Sequence, residues 1–240
     1  MRRAALTALV LSLLAGTAAA FAVTQSLKLE RAPVGKARFA EPFSPTCGCA
    51  RQVARLSFRL RRSDRLDLDI VSDGESVRTL ARGVERPRGR VFVRWDGRDD
   101  AGAVVPDGRY RLQVRAAGAG RTIVMPKGID VDTQPPELEL GEAAGTAVTP
   151  NGAGPSGNVE LALTVSEKAR LLVLVDGRLA RVTKPWPAGE HTFVWSGRVR
   201  GSPLEPGTVD LSVRARDEAG NLSPVEAGPT IQVRAGGTGG

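Results

Sequence analysis

The sequence predicts an all-β protein made of two tandem antiparallel sandwiches, and three observations carry that expectation. Short runs alternate apolar and polar residues, the period of a strand with one buried face. Glycine and proline are frequent, at 28 and 16 of 240 residues, while aromatics are only 4% and no amphipathic helical run follows the first segment. Finally, the second half of the chain can be laid over the first.

The chain opens with MRRAALTALVLSLLAGTAAAFAV, two arginines followed by an uncharged apolar stretch from Ala4 to Val23. An uncharged stretch of about 20 residues can span a bilayer, and small residues at Ala18 and Ala20 also suit cleavage after Ala20. Residues 1–24 are expected to be a signal-anchor helix or a signal peptide. Arg2 and Arg3 keep the start cytoplasmic and place the rest outside, single-pass at the cell membrane or secreted. Residues 25–40 are expected to be a spacer, and the glycine-rich tail 235–240 disordered.

Next comes FSPTCGC, which holds both cysteines, Cys47 and Cys49. Laying Pro45 on Pro150 places Leu56, Phe58 and Leu60 on Leu161, Leu163 and Val165 without a gap. Leu66, Leu68 and Ile70 then fall on Leu171, Val173 and Val175. Each copy reaches an Asp-Gly turn, Asp73-Gly74 and Asp176-Gly177, where glycine supplies the positive φ of a tight hairpin. Further on GRVFVRW overlays GEHTFVW, so Trp95 matches Trp195 and Pro106 matches Pro206. The last shared strand sets Tyr110, Leu112 and Val114 on Val209, Leu211 and Val213. A period of roughly 100 residues is too long for a solenoid and right for a whole domain. Expected domains are therefore residues 41–134 and 135–234, joined where Pro135-Pro136 stiffens the chain. The tryptophans, at strand ends, are expected to be core plugs.

These letters resemble the FlgD-type Ig-like domain, a module of the flagellar hook-capping protein and of secreted bacterial proteins. The resemblance rests on TPNGAG before VELALTVSEKARLLVLVDG, and on WDGRDDAGAVVPDGRYRLQVRA. It implies two Ig-like, fibronectin III-like β-sandwiches in which Trp95, Asp96, Gly97, Pro106, Gly108 and Tyr110 are structural. Pro150, Asn151 and Gly152 would serve likewise in the second copy, as would Trp195, Gly197, Pro206 and Gly207. VRARDEAGNLSP and DTQPP also resemble the endings and linkers of bacterial Ig-like modules. Departures include Asn151-Gly152-Ala153-Gly154 for the family's N-G-D-G turn, Trp195-Ser196-Gly197 for W-D-G, and no tyrosine after the second Pro-Gly. A fold and a compartment are implied, not flagellar function.

Several stretches have letters that could carry chemistry. GAGPSG, from Gly152 to Gly157, has the letters of a dinucleotide loop but is followed by an alternating strand rather than a helix. Asp96, Asp99 and Asp100 lack EF-hand spacing and read as turn residues rather than a calcium site. His191, the only histidine, matches Val91 and is expected at the start of a half-buried strand. Cys47 and Cys49 offer two of the four ligands zinc wants, so a small disulfide is the expected pairing, with thiol exchange as the alternative. No catalytic residue, cofactor or metal is expected, and the chain reads as a non-enzymatic structural, binding or spacer module.

A net charge of +8 and a pI near 10.4 suit an anionic partner. The arginines lie singly on alternate strand positions, as in RLSFRLRR and YRLQVRA, with no basic stripe carrying aromatics in view. They are expected to be mainly a solvated surface, and no nucleic-acid partner is expected. The partner is expected to be an unknown protein or a cell-envelope polymer, with the membrane reached through the N-terminal segment and anionic lipid or wall polymer as an alternative.

Overall fold

The computed structural model describes residues 12–18, 20–21, 32–39, 42–150 and 157–235. Residues 12–18 and 20–21 are helical and exposed, and among the described residues no helix is long and apolar enough to cross a membrane. The rest of the expected signal-anchor, Asn151, Gly152 and most of the expected tail lie outside the described residues. Among the described residues the remaining named elements are all strands.

The first repeat contributes β1 (Val34–Arg38), β2 (Ala54–Leu60), β3 (Asp64–Ser72), β4 (Glu75–Arg86), β5 (Gly89–Trp95), β6 (Gly108–Ala116), β7 (Arg121–Val124) and β8 (Ile129–Val131). One sheet runs β1-β2-β5; the other runs β4-β3-β6-β7, with β8 also pairing β6. The second repeat contributes β9 (Leu138–Ala144), β10 (Ala147–Val148), β11 (Val159–Val165), β12 (Arg170–Val175), β13 (Arg178–Val182), β14 (Gly189–Trp195), β15 (Arg198–Val199), β16 (Ser202–Pro203), β17 (Gly207–Arg216) and β18 (Glu226–Val233). Its sheets run β14-β11-β9 and β10-β18-β17-β12-β13, and β15 and β16 form a small hairpin. The pairing order is the same in both repeats, an immunoglobulin-like sandwich of a small sheet over a larger one.

Alternation sets each register, because slipping a strand by one residue would turn its apolar set to water. Leu56, Phe58, Val91, Val93 and Trp95 point inward from the small sheet onto Leu66, Ile70, Leu112 and Val114 of the larger one. In the second repeat Leu161, Leu163, Phe193 and Trp195 meet Leu171, Val173, Leu211 and Val213. The two hydrophobic clusters are separate. Burying a side chain of this size stabilises by roughly 1.5–3 kcal/mol, so these inward rows dominate the energetics. Both Asp-Gly turns form as expected, with Asp73 at φ 49, Gly74 at φ 90, Asp176 at φ 49 and Gly177 at φ 71. Positive φ at both central residues is the type I′ turn, whose twist matches that of the strands it joins.

One stretch departs from the sequence reading. Residues 25–40 were expected to be a spacer, but Val34–Arg38 form β1 along the edge of β2. VGKAR has a single inward apolar residue, Val34, and so no periodicity of its own. Its placement comes from hydrogen bonding to a neighbour, extended by the Arg61 amide to the Pro33 carbonyl at 2.9 Å.

Each repeat also closes on itself in parallel. Phe43 bridges Val131, with the Phe43 amide donating to the Asp130 carbonyl and the Asp132 amide to the Phe43 carbonyl, each at 3.1 Å. In the second repeat β10 runs parallel to β18, held by Gln232 to Thr146 at 2.9 Å and Arg234 to Val148 at 2.8 Å.

Candidate functional site

The motif residues resolve into two matching corners. Trp95 and Trp195 are each 1% exposed, and their indole N–H groups donate to the carbonyls of Arg98 and Arg198 at 2.9 and 3.1 Å. An indole so placed buries its ring and satisfies its one donor. Gly97 (φ 72) and Gly197 (φ 71) follow in a left-handed turn, where a Cβ would meet Pro45 in the first repeat and Pro150 in the second. Glycine is thus needed twice over, for its φ and for the close approach. In the first repeat the Tyr110 hydroxyl donates to the Pro106 carbonyl at 2.8 Å, and Phe43 and Tyr110 pack edge-on against Trp95. Gly108 and Gly207 start the strands that follow Pro106 and Pro206, pairing with Val131 and Val233.

Asp96, Asp99 and Asp100 diverge. Asp96 accepts from the Arg98 amide at 3.2 Å, Asp99 from the Ala103 amide at 2.8 Å, and Asp100 from the Thr79 amide at 2.9 Å. His191 stacks on Trp186 at 4.7 Å and contacts the Pro187 carbonyl at 2.8 Å through Nε2. No cysteine lies near it: Cys47 and Cys49 are bonded to each other in the first repeat, with Cα atoms 5.2 Å apart.

That disulfide loop packs against the loop 217–221 of the second repeat, where a Cβ on Gly220 would lie 2.7 Å from Cys49 Sγ. The Arg51 guanidinium donates to the Glu218 carbonyl, and Asn221 Nδ2 donates to the Asp132 carbonyl at 3.0 Å. Asp217 holds this loop by accepting from the Gly220 and Asn221 amides at 2.6 and 2.8 Å and from Asn221 Nδ2 at 2.7 Å. The carboxylates of Asp132, Glu167 and Asp217 lie within 4.8 Å of one another. Burial first, then the charges of Asp217 and Asp107, raises Asp132 above the ordinary carboxylate range, partly offset by the Gln134 amide. Burial first, then the charges of Asp217 and Asp132, also raises Glu167. Carboxylate oxygens of this kind are hard-cation ligands, although those of Asp217 already accept protein donors.

The outer face of the β1-β2-β5 sheet corrects the expectation that the arginines form no stripe. Antiparallel register sets Arg55 opposite Arg94 and Arg59 opposite Arg90, with Ser57 opposite Phe92 between them. Phe92 is 75% exposed, and the register sets it between the two arginine pairs. On the other side of β2, Arg38 pairs with Ser57, and a bulge with Lys36 at φ 46 brings Lys36 into a cleft with Arg59, Arg61 and Arg88. No acidic residue occurs on these three strands. At the matching positions the second repeat has Glu160 opposite Val194, Ala162 opposite Thr192 and Thr164 opposite Glu190.

Trp95, Asp96, Gly97, Pro106, Gly108 and Tyr110 all lie in one stretch that matches a known family. Residues 51–120 match the FlgD Ig-like domain. Ig-like and fibronectin III-like folds are generally non-catalytic. Among curated proteins none matches the sequence. Of solved structures, the fibronectin(III)-like modules of Clostridium thermocellum CbhA are similar at 15% identity and a TM-score of 0.44, covering 83% of this chain and 95% of theirs. The human OSCAR ligand-binding domain is similar at 16% identity and a TM-score of 0.35, covering 82% of this chain and 100% of its own.

Within the first repeat the sequence located the buried corner and missed the exposed face. Each arginine was visible on an alternating strand, but which arginine opposes which is decided by the pairing of strands far apart in the chain. The acidic joint was missed for a similar reason, since positions 132, 167 and 217 meet only through the contact of the two repeats. Its one local signal was the Asp217-to-Asn221 ending.

Proposed function

We propose that the chain is a non-catalytic extracytoplasmic envelope protein in which two tandem Ig-like domains, residues 41–134 with β1 added and residues 135–234, form a spacer that presents a binding surface. One observation carries this reading: the family-motif side chains within the described residues are used for packing and turns, while the outer sheet faces, which packing leaves free, differ sharply in charge between the repeats. Recognition surfaces arise where the scaffold does not dictate the residue. Separate hydrophobic clusters support the two-domain division, and the general absence of catalysis in such folds supports the non-enzymatic reading. The apolar start of the chain supports export.

Protease added to intact, wall-stripped producing cells tests this. Digestion of the chain while a cytosolic marker survives is the expected result; protection equal to that of the marker overturns an extracytoplasmic role.

A further inference from the structure

We propose that the outer face of the β1-β2-β5 sheet docks on an anionic phospholipid bilayer, an assignment that rests on the binding-module reading and gives it a partner. The first ground is that the face works against the fold. Arg55 faces Arg94 and Arg59 faces Arg90 directly across two strands, and like charges in that position are destabilising. The sandwich does not require them, because the second repeat builds the same sheet with glutamate, threonine and valine there. Among the described residues the side chains of Arg55, Arg59, Arg90 and Arg94 enter no ion pair or side-chain hydrogen bond. A local rule broken without internal compensation marks a site used for something outside the fold.

The second ground is the shape and chemistry of the face. It is the broad outer surface of a sheet, with one ring, Phe92, standing 75% exposed among cations. At a bilayer surface guanidiniums meet lipid phosphates while an aromatic ring enters the headgroup and acyl boundary. Single-stranded nucleic acid would instead call for successive stacking rings along a groove, and this face has one. At its β1 edge, Lys36, Arg59, Arg61 and Arg88 line a cleft of about 410 Å³, a cationic recess for a phosphate-bearing headgroup.

The third ground is position. β1 is the strand by which the chain enters the sandwich, and upstream of it the described helical residues expose Leu13, Leu14 and Phe21. Apolar insertion and a polybasic surface are each weak membrane signals that become firm together.

The test is co-sedimentation of the full chain with vesicles of phosphatidylcholine alone and of equal parts phosphatidylcholine and phosphatidylglycerol. Because the apolar segment is present throughout, the readout is the preference for anionic vesicles. That preference is expected to be about tenfold or more at low salt and to shrink as salt rises. Arg55→Glu with Arg59→Glu is expected to abolish it without lowering the thermal midpoint, since each new glutamate faces an arginine. Phe92→Thr, the residue of the second repeat, is expected to weaken binding a few-fold and leave the salt dependence in place. Equal affinity for both vesicles, a double variant that keeps the preference, or capture by polygalacturonate or single-stranded DNA with vesicles ignored overturns the proposal. Vesicle preference and protease accessibility are read independently, so an exposed chain without the preference removes the lipid face alone, and a preference in a protected chain removes only the extracytoplasmic placement.

Discussion

The small sheets of the two repeats are alike on one side and opposite on the other. Inward, Leu56, Phe58 and Trp95 are matched by Leu161, Leu163 and Trp195, and all six are buried. Outward, four arginines and a phenylalanine in the first repeat stand where the second has two glutamates, two threonines and a valine. Packing density constrains the inner row to apolar residues of the right volume, whereas the outer row is free to follow function. The contrast isolates what the sandwich needs from what it carries.

The largest expected effect breaks the likeness of the cores. Trp95→Ala and Trp195→Ala should each cost about 3–5 kcal/mol in urea unfolding. Trp95 should cost more by about 1 kcal/mol, because it alone of the two has ring partners among the described residues, Phe43 and Tyr110. Equal losses would mean that the aromatic cluster adds nothing beyond burial. Next, Gly97→Ala and Gly197→Ala should each destabilise by about 1–3 kcal/mol. The first should again be worse, since its Cβ overlaps Pro45 more deeply than that of Gly197 overlaps Pro150.

Tyr110→Phe should lose about 1 kcal/mol with the hydrogen bond to Pro106; an unchanged urea midpoint would assign the tyrosine to packing alone. On the outer faces a single change should have opposite signs. Arg94→Glu places an acid opposite Arg55 and should stabilise by about 0.2–1 kcal/mol, whereas Val194→Glu places one opposite Glu160 and should destabilise by a similar amount. Thermal midpoints of the two variants read this directly, and shifts of the same sign would refute it.

The smallest effect concerns the joint. Asp132 and Glu167 have raised pKa values, so their charged forms oppose folding at neutral pH. The folded state takes up their protons before the unfolded state does, so their unfavourable contribution fades as pH falls through the raised values and is gone below the ordinary carboxylate range. Glu167→Gln should therefore raise the midpoint at pH 7 slightly, by a fraction of a kcal/mol after solvent screening, and its advantage should vanish toward about pH 4. An advantage that persisted or grew in acid would assign it to packing.

The repeat and its strands could be read from the sequence because burial imposes a period that survives in single letters: the inward apolar residues of β2 and β11 coincide at alternate positions. Asp73-Gly74 and Asp176-Gly177 were readable because only a few residues tolerate their backbone. Strand β1 was not, since one apolar residue makes no pattern and its pairing is supplied by β2. The cationic face was hidden for a deeper reason. Alternation states that Arg55, Arg59, Arg90 and Arg94 point to water; only register states that they point at one another.

The parallel closures at Phe43–Val131 and β10–β18 bear on how the chain responds to pulling. In each repeat the segment just after the entry strand, Phe43 behind β1 and β10 behind β9, runs parallel to the closing strand, so tension carried past the entry strand drags the two past each other. The hydrogen bonds flanking Phe43, and those from the Gln232 and Arg234 amides to the Thr146 and Val148 carbonyls, then resist in shear as a group rather than opening one after another. A sandwich loaded in this way holds its length until an abrupt yield.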